Sequence, residues 1–133
     1  MKTKFFFVFA FALFLVSAMN VDAQITINIR YTAENGNVRK YVEEMESSGI
    51  AARIRAVEGC LGYEYFYPAD DPNGLLLIDS WENQEALNRY HSSPARNEAA
   101  ALREKYGLGG RTVRMYTPVT PPARRQEAPQ KQE

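Results

Sequence analysis

The sequence predicts an α+β fold with the element order β-α-β-β-α-β, on three observations. Ile25, Ile27, Ile29 and Tyr31 alternate with polar residues, the period-two pattern of a strand with one apolar face. Two more apolar runs, Cys60 to Tyr67 and Leu75 to Trp81, stand on either side of a turn-rich loop. Apolar residues at helical spacing follow the first run and the third. That order is the ferredoxin-like antiparallel sandwich, with the helices on one side of a four-stranded sheet.

Each element has its own local reason. Asn35-Gly36 breaks the first strand, and Asn37 is placed to cap a helix carrying Val38, Tyr41, Val42 and Met45. Ser47-Ser48-Gly49 weakens or bends this helix, because its apolar stripe resumes out of phase at Ile50, Ile54 and Val57. Gly59 suits a left-handed cap. In the second strand Leu61, Tyr63, Tyr65 and Tyr67 point one way, and Gly62, Glu64 and Phe66 the other. Four consecutive apolar residues, Leu75 to Ile78, imply a third strand buried on both faces. Asn83 caps a short helix with Ala86, Leu87 and Tyr90. Ser93-Pro94 restarts it, with Ala95, Ala99, Leu102 and Tyr106 at helical spacing as far as Gly107. Gly109-Gly110 introduces a last strand, Arg111 to Thr117, where Val113 and Met115 alternate with Arg114 and Tyr116.

So short a chain covers only one sheet face with its own helices. The other face, with large residues on the second and third strands, would be a larger apolar patch than a soluble monomer exposes. A two-fold homodimer that packs sheet against sheet removes it.

The ends differ from the domain at 24–117. Residues 1–23 read as a secretory signal: Lys2 and Lys4, an apolar run from Phe5 to Val16, and a small-residue cleavage site at Val21-Asp22-Ala23. The run is short for a bilayer span, and no cysteine near the site supports a lipid anchor; an uncleaved N-terminal anchor is the alternative. The mature protein is therefore expected to be exported, periplasmic or extracellular, with no stable membrane anchor. From Pro118 to Glu133 the composition turns to Pro, Gln, Arg and Glu, which cannot bury enough surface to offset ordering entropy, so residues 118–133 read as a disordered tail.

Composition excludes several function classes. The chain has 133 residues, 16 basic and 16 acidic, with the charges scattered, which leaves no electrostatic footprint for nucleic acid. There is no phosphate-cradling glycine loop, no dinucleotide fingerprint and no paired Cys or His at metal spacing, so neither a cofactor nor a metal is expected. Cys60, the single cysteine, cannot staple its own chain and reads as a small buried apolar residue. Asp70-Asp71, between two prolines, reads as turn chemistry. His91 is the only side chain with an unperturbed pKa near neutrality, and it can act as a base or sit half exposed against the last helical carbonyls.

Glu-Gly-Cys-Leu-Gly-Tyr-Glu at 58–64 is followed by Trp81-Glu82, Ala86-Leu87 and His91-Ser92-Ser93-Pro94. This succession resembles the antibiotic biosynthesis monooxygenase family, and the resemblance spans residues 25–117. It implies a dimeric α+β barrel. It also implies oxygenation of quinol-like or polycyclic aromatics by dioxygen, without metal, flavin or nicotinamide. On that reading His91 is the catalytic base or proton relay, and Trp81, Tyr63, Tyr65 and Tyr90 are substrate-binding walls and hydroxyl donors. Two departures matter. Ala95 and Arg96 stand where many relatives place a second histidine, and alanine at 99–101 leaves no ligand for haem, which disfavours haem degradation.

Each of these residues also has a purely structural reading. Trp81 can be a core or interface residue, and the tyrosines at 63, 65 and 67 can be dimer packing. Arg30 and Arg114 can bind an anionic substrate or simply be solvated. The alternative to an enzyme is a non-catalytic barrel that binds a small aromatic or apolar ligand outside the cytoplasm. A third reading is an interaction protein that recruits a partner through its tail.

Overall fold

The alternation at the start of the domain becomes β1 (Ile25–Thr32), and β2 (Cys60–Phe66), β3 (Gly74–Trp81) and β4 (Gly109–Tyr116) complete one sheet. The computed structural model describes residues 23–119, so the export signal and most of the tail read from sequence lie outside the described residues. Strand order is β2-β3-β1-β4, with every neighbouring pair antiparallel. The helices are α1 (Asn37–Ser47), α2 (Ile50–Arg55), α3 (Gln84–His91) and α4 (Pro94–Lys105). This is the ferredoxin-like α+β sandwich expected from sequence. None of the described helices is long and apolar enough to cross a membrane.

Two local expectations are corrected. Gly36, not Asn37, occupies the cap of α1, with φ 71. Asn37 is already helical, and its side-chain amide donates to the Tyr106 carbonyl at 3.1 Å. Glycine enters the left-handed region at little cost, so the chain turns one residue earlier. The first helical segment is also two helices rather than one bent one, because Gly49, at φ 82, caps α2 separately. Asn83 and Ser93 cap as expected, accepting from the Ala86 amide at 2.9 Å and the Arg96 amide at 3.4 Å. Gly59 is left-handed at φ 86.

Register decides which side chains share a face. Tyr63, Asp79, Ile27 and Met115 form one row across the sheet, and Tyr65, Leu77, Ile29 and Val113 the next. Residues two apart point the same way, so both rows face the helices. Tyr41 and Met45 from α1, Ile54 from α2 and Leu87 from α3 pack there with Trp81, Tyr63, Leu75 and Leu77 in one buried cluster. Each fully buried large apolar side chain contributes about 1.5–3 kcal/mol.

The opposite face carries Phe66, Leu76, Ile78 and Tyr116, mixed with Thr26, Asn28, Arg30 and Arg114. It is less apolar than the sequence suggested, because Tyr63 and Tyr65 turn toward the helices. Leu76 and Ile78 are half-buried rather than enclosed, so β3 is fully covered by this chain on its helical side only. Polar residues there pair laterally, as Thr26 and Ser80 do through their hydroxyls at 2.9 Å.

Candidate functional site

The helices cover β2 and β3 and leave β4 bare: Val113 and Met115, on the helical side, are still 41% and 58% exposed. Between this uncovered strip and the facing helices α3 and α4 lies a cleft of about 370 Å³. Ile27, Ile29 and Leu77 form its apolar floor, and Leu87 and Tyr90 come from α3. Its polar groups are Asp79, His91, Gln84 and three arginines, Arg96, Arg103 and Arg111. A mostly apolar concavity with a few convergent polar groups is how small-molecule sites are usually built.

Asp79 is the residue that sequence reading missed. It interrupts the inward-facing series Leu75, Leu77, Asp79, Trp81, and that break in the alternation was the available signal. The side chain is 2% exposed. Oδ2 accepts a hydrogen bond from the Trp81 indole nitrogen at 2.6 Å, while Oδ1 is buried without a partner. Burial raises its pKa to about 6, and the Trp81 hydrogen bond partly opposes this. A carboxyl that titrates near neutrality, with one oxygen free at a cleft, can accept or return a proton.

His91 stands at the rim as the last residue of α3 and is exposed. Its ring lies 5.7 Å from that of Tyr90. Partial desolvation lowers its pKa, and the positive charges of Arg96 and Arg111 lower it further. The imidazole is therefore neutral at pH 7 and able to accept a proton.

Of the five residues expected at the site, Tyr90 and His91 line the cleft. Trp81, Tyr63 and Tyr65 stand behind it instead. Trp81 stacks on Tyr90 with centroids 4.9 Å apart and planes 12° from parallel. Tyr63 meets Tyr90 edge-on at 6.3 Å and Tyr65 at 5.4 Å. The reason is layering: β2 and β3 lie under the helices, so their large side chains fill the core, and α3 supplies the ring that faces the opening. Burial pushes the Tyr90 hydroxyl up to about 12 and those of Tyr63 and Tyr65 well above the ordinary value, so all three remain donors.

Arg30 and Arg114 point away from this cleft onto the open sheet face. A larger groove on that face is lined by Phe66, Tyr67 and Pro68, by Leu76 and Ile78 on β3, and by Arg30 and Thr112. Asp71, at its edge, accepts from the Asn73 amide at 2.9 Å, the turn chemistry read from sequence. Cys60 is half-buried, and burial raises its thiol pKa, which keeps it protonated. Among the described residues no three His, Cys, Asp or Glu side chains cluster as a metal site would require.

Residues 24–102 match the family model of the antibiotic biosynthesis monooxygenases. The chain belongs to that family. A search of curated protein sequences finds no match. Solved structures share the fold of this antibiotic biosynthesis monooxygenase domain. PA3566 from Pseudomonas aeruginosa superposes with a TM-score of 0.64 at 20% identity, covering 75% of this chain and 98% of its own. SnoaB, a cofactor-independent oxygenase from Streptomyces nogalater, gives 0.61 at 17% identity over 74% of this chain and 95% of its own. A conserved protein of unknown function from Bacteroides thetaiotaomicron gives 0.63 at 17% identity over 72% and 98%. At such identities the likeness establishes the fold and leaves the chemistry to the site.

Proposed function

We propose that the protein is a cofactor-independent monooxygenase of quinol-like or polycyclic phenols, working in the cleft beneath α3 and α4 as an exported homodimer. The observation that carries this reading is that a buried carboxyl, Asp79, free on one oxygen, and a neutral imidazole, His91, both line one mostly apolar cleft. Family membership and the fold shared with a cofactor-independent oxygenase support it.

The chemistry balances without a bound group. A base takes the proton from a phenolic hydroxyl, and the phenolate passes one electron to dioxygen. The resulting substrate radical and superoxide combine at a ring carbon bearing hydrogen, forming a C–O bond. The peroxide then breaks at its O–O bond: one oxygen stays as a quinone carbonyl, and the other leaves as water with the ring hydrogen and the returned proton. Dioxygen is reduced by four electrons, and the phenol becomes a quinone. Asp79 and His91 hold and return the proton, Tyr90 offers a wall and a hydroxyl donor, and Trp81 fixes the Asp79 carboxyl.

Dimerisation through the open sheet face would bury Leu76 and Ile78. The competing reading is a non-catalytic binding module, and the exposure of Val113 and Met115 favours it, because a cleft open to water shields a peroxide poorly. Incubation with naphthols and hydroquinones under ¹⁸O₂, without added metal or cofactor, separates the two. One labelled atom in the product and one in water is the expected result. Oxidation that releases hydrogen peroxide with no label in the product, or saturable binding with no turnover, removes the monooxygenase.

A further inference from the structure

Of the eleven basic residues at 24–117, four are paired, Arg30, Arg39, Lys40 and Arg114 are without an ion pair among the described residues and lie outside the cleft, and three converge on it. Arg53, Arg55, Arg89 and Lys105 each pair with a glutamate, at 2.6 to 3.1 Å. Arg96, Arg103 and Arg111 have no carboxylate partner within ion-pair distance among the described residues, and all three line the cleft. Arg96 and Arg103 are seven residues apart on α4 and so share a helical face. Arg111, the third residue of β4, lines the same cleft and shares the strand parity of Val113 and Met115. Arg103 is half-buried, with its guanidinium 5.8 Å from the centre of the Tyr31 ring. The only carboxylate in the lining is Asp79, whose Oδ2 is already engaged by Trp81.

In a chain with no net charge, three guanidinium groups without a carboxylate partner around one small cleft, Arg103 being steadied by the Tyr41 hydroxyl, are a local excess that a ligand can neutralise. We infer that the cleft takes an aromatic molecule bearing an acidic substituent: Arg96, Arg103 and Arg111 hold the oxyanion at the mouth, the ring lies on the Ile27–Leu77 floor against Tyr90, and a ring hydroxyl donates to Asp79 Oδ1. This rests on the proposed reading of the cleft as the small-molecule site and adds a charge requirement that a neutral quinol does not meet. About 370 Å³ lies at the small end of ligand sites and suits a molecule of one or two rings.

The test is equilibrium binding under nitrogen, so that it does not depend on turnover. 6-Hydroxy-2-naphthoate carries its hydroxyl and carboxylate at opposite ends, and its methyl ester differs only in charge and one methyl group. The acid should bind at least about tenfold tighter than the ester, as expected for charge-assisted hydrogen bonds, and the gap should shrink as salt is raised. An Arg96→Gln, Arg111→Gln double variant should lose the preference and keep its affinity for the ester. Equal affinity for acid and ester, a preference that survives in the double variant, or no binding of either molecule overturns the inference. Because no oxygen is present, a protein that binds the acid selectively and never oxygenates a phenol upholds the charge requirement while the monooxygenase reading fails.

Discussion

Trp81 and Asp79 lie two residues apart on β3, and the indole N–H holds one carboxylate oxygen at 2.6 Å while the other stays buried and unpaired. Because Trp81 is fully buried and stacked on Tyr90, the carboxyl is positioned by the core itself. This one hydrogen bond links the packing of the domain to the chemistry of its cleft.

The first prediction concerns the dependence of stability on pH. The folded pKa of Asp79, about 6, lies above its ordinary value of 3.8, so the folded state binds the proton more tightly. Stability from this group is fully present below about pH 4 and falls as the pH rises toward 6, by about 3 kcal/mol in all. Asp79→Asn keeps an oxygen for Trp81 and carries no charge. It should remove that fall and leave the variant about 1–3 kcal/mol more stable than the native protein at pH 8, while turnover drops. Urea unfolding of both proteins from pH 4 to 8 measures the difference curve, and a flat one refutes the assignment.

A second prediction separates the indole's hydrogen bond from its bulk. Trp81→Phe keeps much of the stacking surface and removes the donor, leaving a carboxyl with both oxygens unpaired. The expected loss is about 1–3 kcal/mol at pH 8, shrinking below pH 5 where Asp79 is protonated. Trp81→Ala should add to that pH-dependent loss the pH-independent cost of a cavity, about 3–5 kcal/mol. Circular dichroism is the suitable probe, since these variants lack the only tryptophan.

His91 gives the opposite expectation. The side chain is exposed, so His91→Ala should leave stability within about 0.5 kcal/mol of the parent. Under the proposed mechanism it should lower kcat by about 100-fold or more. The acid limb of the native pH–rate profile should lie below the ordinary histidine range, because desolvation and the neighbouring arginines depress this pKa. A variant with an unchanged rate and profile would leave His91 as a bystander at the helix end.

Much of the fold was legible because its signals are local. Ile25, Ile27 and Ile29 announce a strand by alternation, and Asn83 and Ser93-Pro94 announce helix starts by capping chemistry. The site was less legible because it depends on which face meets the helices. Tyr63 and Tyr65 share a strand face that could equally have been the dimer face, and only the pairing of Tyr63 with Asp79 and Ile27 turns them inward. The same parity sends Arg30 and Arg114 to the open face and leaves the cleft to Arg96, Arg103 and Arg111, which come from different elements. Asp79 was concealed inside an apolar run, where its inward direction depends on register.

Gly59 tests how α3 is set above the sheet. It is left-handed at φ 86, and a Cβ there would collide with the Ala86 Cβ on α3. Its carbonyl also accepts from the Glu82 amide at 2.8 Å, which fastens the start of β2 to the segment leading into α3. Gly59→Ala therefore combines a left-handed conformation with an overpacked contact, and about 2–4 kcal/mol of stability should be lost. Since α3 carries Tyr90 and His91, ligand affinity should fall as well, even in molecules that remain folded. Gly62→Ala is the control, because a Cβ at Gly62 meets nothing within 4 Å. Equal unfolding midpoints for the two variants would show that α3 tolerates displacement.

The last prediction concerns the open sheet face. Leu76 and Ile78 project from the middle of the sheet, with Phe66 beside them at 43% exposure. If two copies pack there, Ile78→Arg forces a bulky guanidinium, even one paired with Glu64 across the strands, into a desolvated interface, at about 3–5 kcal/mol against association. A single chain has no such contact to lose: residue 78 is only half-buried, and its neighbours Asn28 and Glu64 are polar. The variant should therefore sediment as a folded particle of half the native mass at micromolar concentration, with its unfolding midpoint newly independent of concentration. Glu64→Arg on the same face, where β2 forms the sheet edge, should weaken association less. If native protein and Ile78→Arg sediment alike, the open face is not where copies meet.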